Sequence, residues 1–325
     1  MSKRNYFEKY QNIKQMYLNL KKQLGGTKDK KKSEFLAKIA EDNHKIVRHN
    51  PSRIVNPVVF RHDLLTNAYN TNLSQLRNLV IRPNIILENK TTDQAIVDYA
   101  NNETATLNFA NGRHPGGGYI KGASAQEEDL CRQYVYLYPS LDRARQNGIY
   151  PLRSDVILYV NNIYRMRDNH YNKIPKTSYR AHTSFITADA PDLRHKTYQR
   201  ATRNEIYDIT EPDFRSRSKQ IIKSNDISLI NFINTKLDLI FLSPLFDSSY
   251  NYNPDYPKTL ILGAFGCGAF TPEIGKEEYI EDLASLMVVK INMFGRLYEK
   301  IIFAIPRGNG NYEMFERVFR RYGLM

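Results

Sequence analysis

The residues best suited to chemistry lie in one run, Leu107-Asn-Phe-Ala-Asn-Gly-Arg-His-Pro-Gly-Gly-Gly-Tyr-Ile-Lys-Gly-Ala-Ser-Ala-Gln-Glu-Glu-Asp-Leu-Cys-Arg. It reads as a strand, a glycine loop and the start of a helix. Gly116, Gly117 and Gly118 carry no Cβ to block left-handed backbone or the approach of a ligand, and their amides can face an anion such as phosphate. Gln126, Glu127 and Glu128 follow near the helix start, where the dipole tolerates carboxylates and a substrate can also come close. Adjacent helical residues do not share a face, so the two glutamates need separate roles. A second run, Thr259-Leu-Ile-Leu-Gly-Ala-Phe-Gly-Cys-Gly-Ala-Phe, passes from a buried strand into a loop with Gly263, Gly266 and Gly268. Such a loop at the carboxyl end of a strand can wrap a diphosphate with backbone amides. Taken singly, each feature also reads blandly, as an ordinary loop or a solvated helix start.

These residues need a frame to position them. Short apolar runs alternate with polar, helix-like segments after about residue 75, the pattern of an α/β domain. Strands are expected at Leu79–Leu87, Ala105–Phe109, Val156–Val160, Thr183–Thr187, Leu237–Leu242, Thr259–Leu262 and Lys300–Ile305. Several are almost continuously apolar, as strands covered by helices on both faces should be. Helices are expected at Asp93–Asn101, Glu127–Leu137, Glu277–Phe294 and Tyr312–Arg321, and Asp192 to Asn225 reads as a long basic surface excursion. Tyr10, Ile13, Tyr17, Leu20 and Leu24 have the spacing of an amphipathic helix, and a second helix begins at Ser33 and ends before Pro51. Residues 1–75 therefore read as a basic helical extension and residues 76–325 as the main domain.

The chain of 325 residues carries a net charge of +13, and the tract from Lys3 to Lys32 contributes +8 of it, ten Lys and Arg against Glu8 and Asp29. Such a tract is a solvated helix face or arm, or a contact for an acidic polymer. No apolar run is long enough to span a bilayer and the first residues show no secretory signal, so no membrane partner is expected and an intracellular, cytoplasmic or nuclear protein is. Cys131 and Cys267 have no second Cys or His at metal-ligand spacing, so neither a metal nor a cofactor is expected.

With seven residues between the glycine triplet and Gln126, the first run resembles the signature of poly(ADP-ribose) glycohydrolases. The second, Gly263-Ala264-Phe265-Gly266-Cys267-Gly268-Ala269-Phe270, is similar to the Gly-Ala-aromatic-Gly-Cys-Gly-x-Phe loop of the microbial-type members. Asn89-Lys-Thr-Thr-Asp-Gln-Ala, the Thr183–Asp192 stretch and Ile301-Ile-Phe-Ala-Ile-Pro extend the likeness, which runs from about Ser33 to the last strand. Asp189 and the basic excursion depart from it. The resemblance implies a macrodomain-like, three-layer α/β/α mixed sheet with an N-terminal helical appendage.

It also implies roles. Asn111 would hydrogen-bond the distal ribose, Gly116–Gly118 would approach that ribose and the diphosphate, and the Gly263–Phe270 loop would hold the diphosphate. Glu128 matches the glutamate set against the ribose–ribose bond, while Glu127 would hold a hydroxyl of that ribose or of the leaving unit. One carboxyl, Glu128, would protonate the departing oxygen and then activate water, which asks for a pKa raised by burial and by its anionic neighbours. Cys267 is expected to pack rather than attack, and Phe270 either leans on the ribose or adenine or belongs to the core. The expected substrate is poly(ADP-ribose) or an ADP-ribosylated protein, the product ADP-ribose and the assembly a monomer. A hydrolase of single ADP-ribose groups, a non-catalytic ADP-ribose-binding macrodomain and a nucleic-acid-binding protein using the basic arm are the other readings.

Overall fold

In the computed structural model, which describes residues 30–77, 79, 82–100, 103–178, 181–201 and 220–325, the apolar strands divide their side chains between two cores. The strands are β1 (Val58–Arg61), β2 (Asn84–Glu88), β3 (Thr104–Ala110), β4 (Val156–Tyr164), β5 (His182–Asp189), β6 (Thr197–Gln199), β7 (Ile221–Lys223), β8 (Thr259–Leu262) and β9 (Lys300–Ala304). Seven of them form a sheet in the order β1-β4-β5-β3-β8-β9-β2, and β6 and β7 pair separately. β1 and β4 run antiparallel to their neighbours, while the strands from β5 to β2 are mutually parallel. Successive side chains on a strand point to opposite faces. Leu158, Val160, Ile261 and Ile302 therefore enter one core, and Ile157, Tyr159, Leu260, Leu262, Ile301 and Phe303 enter the other.

The helices are α1 (residues 30–49), α2 (His62–Thr71), α3 (Leu73–Arg77), α4 (Thr92–Asp98), α5 (Gln126–Gln133), α6 (Leu137–Gln146), α7 (Ile227–Leu242), α8 (Lys276–Phe294) and α9 (Asn311–Arg321). Residues of α1, α4, α5 and α6 fill the first core, and those of α2, α3, α7, α8 and α9 fill the second. The three-layer α/β/α mixed sheet expected from the sequence is thus the observed fold. None of the helices described is long and apolar enough to cross a membrane.

Several elements differ from expectation. Leu237–Leu242 is not a strand but the last part of α7. Asp226 caps that helix by accepting hydrogen bonds from the Ser228 and Leu229 amides at 3.0 and 3.2 Å, and Leu229, Ile233, Leu237 and Ile240 follow at helical spacing. Its final turns are buried on all sides, which erases the polar face by which a helix is distinguished from a covered strand. β2 starts only at Asn84, after Pro83, whose ring nitrogen cannot donate to a ladder. Residues 58–61, read as part of a helical appendage, pair with β4 as an edge strand too short to stand out in the sequence. The expected helix from Glu127 to Leu137 is two, α5 and α6, with Tyr134 closing the first. The helix expected at Tyr6 to Leu24 lies outside the described residues. The basic excursion contributes β6 and β7, and its middle, 202–219, is likewise outside them.

The parallel strands matter most for function, because the loops leaving the carboxyl ends of β3, β5, β8 and β9 emerge on the same side of the sheet. Beside β5, Lys236 of α7 is fully buried, donating to the Arg153 and Val156 carbonyls at 2.8 and 2.7 Å and pairing with Asp189 at 2.7 Å. This pair accounts for the aspartate that departs from the family pattern: it ties the end of β5 to the covering helix. Lys236→Met, which removes the ammonium from a buried ion pair, is expected to destabilise the chain by about 3–5 kcal/mol. A urea titration reads this as a lower midpoint with an unchanged m-value.

Candidate active site

The strand-to-helix run folds back on itself so that α5 presents its first turn to the loop that follows β3. Gln126 forms the hinge of this fold-back. Its side-chain oxygen accepts from the Phe109 amide at 2.8 Å, and its nitrogen donates to the Leu107 carbonyl at 2.8 Å and to Thr92 Oγ1 at 3.1 Å. Glu127 is buried at 2% exposure. It accepts from the amides of Asn111 (2.8 Å) and Gly116 (3.1 Å) and from Asn108 Nδ2 (3.4 Å). Glu128, 8% exposed, accepts from the Gly118 amide at 2.8 Å and reaches back to the Ala125 amide at 3.1 Å, capping its own helix. Each carboxyl holds a different part of the loop, and the two come together at Gly117.

Glycine is required where this loop meets the carboxylates. Gly117 has φ +54°, and a Cβ there would lie 2.5 Å from Glu128 Oε1 and 3.3 Å from Glu127 Oε2. An L side chain would therefore be strained by its backbone and would push into both carboxyls. Burial raises the pKa of Glu127 to about 8, with the hydrogen bonds from Asn111, Asn108 and Gly116 acting in the opposite direction and the charge of Glu128 reinforcing the rise.

Both carboxylates line a cavity of about 650 Å³, within the roughly 300–1,000 Å³ usual for small-molecule sites. Asn111, Gln126, Ala264, Gly266, Gly268, Ala269 and Phe270 share its wall. Asn111 Oδ1 accepts from the Arg113 and His114 amides at 2.9 and 3.1 Å, so the side chain turns the loop and offers its Nδ2 group to a ligand. Phe270 is half-buried on the wall, with the Arg194 guanidinium 5.0 Å from its ring centroid. Gly116, Gly117, Gly118, Gly263, Phe265 and Cys267 do not line the cavity. Gly116 and Gly118 hold the carboxylates through their amides, and Gly117 packs closely against both. Phe265 is buried against Phe109, with ring centroids 6.3 Å apart.

Cys267 is buried, its carbonyl accepting from Asn311 Nδ2 at 3.1 Å, and burial pushes its thiol well above the usual thiol range. It packs the loop, as a buried small side chain does. No cluster of three or more His, Cys, Asp or Glu among the described residues is arranged to hold a metal.

The resemblance set the Asn89–Ala95 segment near the ligand without assigning its residues roles, and other parts of the wall were not foreseen. Thr92 and Asp93 of α4 line it, and Asp93 forms a bidentate pair with Arg165 at 2.7 and 2.6 Å. Burial raises the pKa of Asp93 while that pairing opposes the rise. Asp129 and Tyr171, joined by a short hydrogen bond, also face the cavity, as do Lys32 and Asn309. Asp129 could have been found from its position next to Glu128. Tyr171 and Lys32 carry no local signal, since only tertiary packing brings them to the site.

A mixed sheet covered by helices on both faces, with paired carboxylates and a glycine loop over one cavity at its carboxyl end, defines a macrodomain-like fold. Residues 19–168 match the family model described as microbial-type PARG, catalytic domain, which is the family the motifs resemble. Among solved structures, the chain is similar to poly(ADP-ribose) glycohydrolase from Thermomonospora curvata bound to the inhibitor ADP-HPD. That match has a TM-score of 0.55 and 20% identity, covering 87% of this chain and 99% of that one. It is also similar to poly(ADP-ribose) glycohydrolase from Deinococcus radiodurans in complex with ADP-ribose, with a TM-score of 0.55 and 19% identity over 82% of this chain and 94% of that one. At such identities the likeness establishes the shared fold. No curated protein matches the chain.

Between the ordinary glutamate value of 4.5 and about 8, the folded chain keeps a proton on Glu127 that the unfolded chain has lost. The stability from this group is therefore full below about pH 4.5 and declines as pH rises towards 8. Glu127→Gln is expected to flatten that decline, which denaturant titrations across this pH window would measure.

Proposed function

We propose that this chain hydrolyses the ribose–ribose O-glycosidic bond of poly(ADP-ribose) and releases ADP-ribose, with Glu128 as the general acid and then the general base. The observation that carries the reading is the placing of Glu127 and Glu128, each held by loop amides, on one wall of a cavity bounded by the glycine loop after β8. The match of residues 19–168 to the microbial-type family and the likeness to glycohydrolase structures support it.

The amides of Gly266, Gly268, Ala269 and Phe270, in the part of the loop that lines the cavity, would hold the diphosphate of the terminal unit, with Asn111 Nδ2 and Glu127 fixing its distal ribose. Glu128, in its acid form, gives a proton to the departing 2′ oxygen as the bond from the anomeric carbon to that oxygen breaks. The ring then carries oxocarbenium character. Water adds its oxygen to the anomeric carbon and surrenders a proton to Glu128, which restores the acid. The products are ADP-ribose and a chain shortened by one unit. Phe270 supplies an aromatic face for the adenosine portion.

We read the protein as a monomer that works inside the cell, in cytoplasm or nucleus, with its basic arm as a contact for the polymer or for nucleic acid. Two free, buried cysteines are consistent with a reducing compartment.

Incubation with poly(ADP-ribosyl)ated protein should release ADP-ribose from the wild type. Glu128→Gln should lower that rate by roughly 10²–10⁴-fold, the usual weight of general acid–base catalysis, while calorimetry still detects ADP-ribose binding. Binding by both proteins with no release from polymer would indicate an ADP-ribose-binding protein or a hydrolase of single ADP-ribose groups. No binding at all would remove the ADP-ribose reading.

A further inference from the structure

The wall of the cavity has a pronounced asymmetry of charge. Four acids line it, Asp93, Glu127, Glu128 and Asp129, and among the described lining residues Lys32 is the one cation. Lys32 is exposed and makes no ion pair with a described residue. It belongs to α1, far from the glycine loops in sequence, and reaches the cavity because α1 is anchored beside α5.

That anchoring is specific. The neighbouring Ser33 donates from its hydroxyl to the Lys121 carbonyl at 2.9 Å, and its backbone lies so close to Gly122, at φ +79°, that no Cβ would fit there. The buried Leu36 offers its carbonyl to Arg132 Nε at 3.4 Å. Asn43, also buried, donates to the Tyr119 hydroxyl and to the Arg132 carbonyl at 3.1 and 3.0 Å. The Phe35 ring sits 6.4 Å from that of Tyr171, itself on the cavity wall. Lys32 therefore reaches the cavity wall from a helix fixed against the glycine loop, Arg132 and Tyr171.

The reacting unit has its diphosphate provided for by that loop. In a polymer, the ribose that departs carries a diphosphate of its own on its 5′ carbon, whereas a leaving group that is not ADP-ribose brings none to this place. From these positions we propose that Lys32 is a specificity residue that binds the diphosphate of the departing ADP-ribose unit and favours polymer over other ADP-ribosyl substrates. This rests on the glycohydrolase reading. It also gives a role to the last residue of the basic tract, whose charge the core chemistry leaves unused. The contact is an exposed ion pair, so it weakens as salt screens it.

The test compares two substrates in one assay, poly(ADP-ribose) and an aryl glycoside of ADP-ribose, whose leaving group carries no diphosphate. Lys32→Ala is expected to lower the ratio of kcat/KM on polymer to kcat/KM on the glycoside by about two- to fivefold at low ionic strength, the scale of one exposed ion pair. Lys32→Arg should restore most of the ratio, and raising the salt should bring wild type and Lys32→Ala together. Thermal melts confirm that both variants are folded. A ratio unchanged in Lys32→Ala, or one that falls equally at high salt, overturns the assignment. Failure of the wild type to release ADP-ribose from either substrate removes the glycohydrolase reading, and the role of Lys32 with it.

Discussion

The site depends on one constraint, that two neighbouring carboxylates buried beside a sheet must find hydrogen-bond donors. Burying a carboxylate without donors is strongly unfavourable. Here the donors are main-chain amides of the very loop the carboxylates face: Asn111 and Gly116 for Glu127, and Gly118 with Ala125 for Glu128. The loop is shaped by the carboxylates as much as the carboxylates are held by the loop. Gly117 can sit between these contacts only because it has no side chain. The two carboxyls are thereby fixed in place, and the backbone itself serves as the scaffold that positions them.

The rest of the fold holds this arrangement at the right end of the sheet. Parallel β3, β5, β8 and β9 deliver their following loops to one side, and the two cores clamp the strands from above and below. Gln126 stitches the start of α5 to β3 and α4, so the helix cannot rotate its glutamates away from the cavity. The Lys236–Asp189 pair secures β5 to α7 from the opposite layer. Arg132, fully buried, donates to the carbonyls of Tyr119 and Ala123 at 3.3 and 2.6 Å and to that of Leu36, so one side chain joins α1, the glycine loop and α5. In this sense residues 30–49 are part of the wall of the site.

Charge is distributed to match. A phosphate-rich ligand entering a cavity lined by four acids would be repelled unless donors met its oxygens first. The loop after β8 can provide them as backbone amides, which carry no net charge and do not compete with the carboxylates. Much of the basic character of the sequence is concentrated in the tract that ends at Lys32, which itself reaches the cavity wall.

What the amino-acid order determined by itself was local. The two glycine runs and the Gln126-Glu127-Glu128 cluster were legible because their residue types are uncommon at that spacing. β8 and β9 were legible because strands covered on both faces are almost continuously apolar. The same continuity misled at Leu237–Leu242, where a helix buried on all sides looks like a covered strand. Local order could not show that Asn111 spends its side-chain oxygen on its own loop, that Gly116 and Gly118 hold the carboxylates without lining the cavity, or that Phe265 faces the core while Phe270 faces the cavity. Nor could it bring Lys32 and Tyr171 to a site built around residue 128. Those outcomes rest on contacts between segments distant in the chain, and only the packed tertiary structure decides which of many chemically acceptable partners each polar group meets.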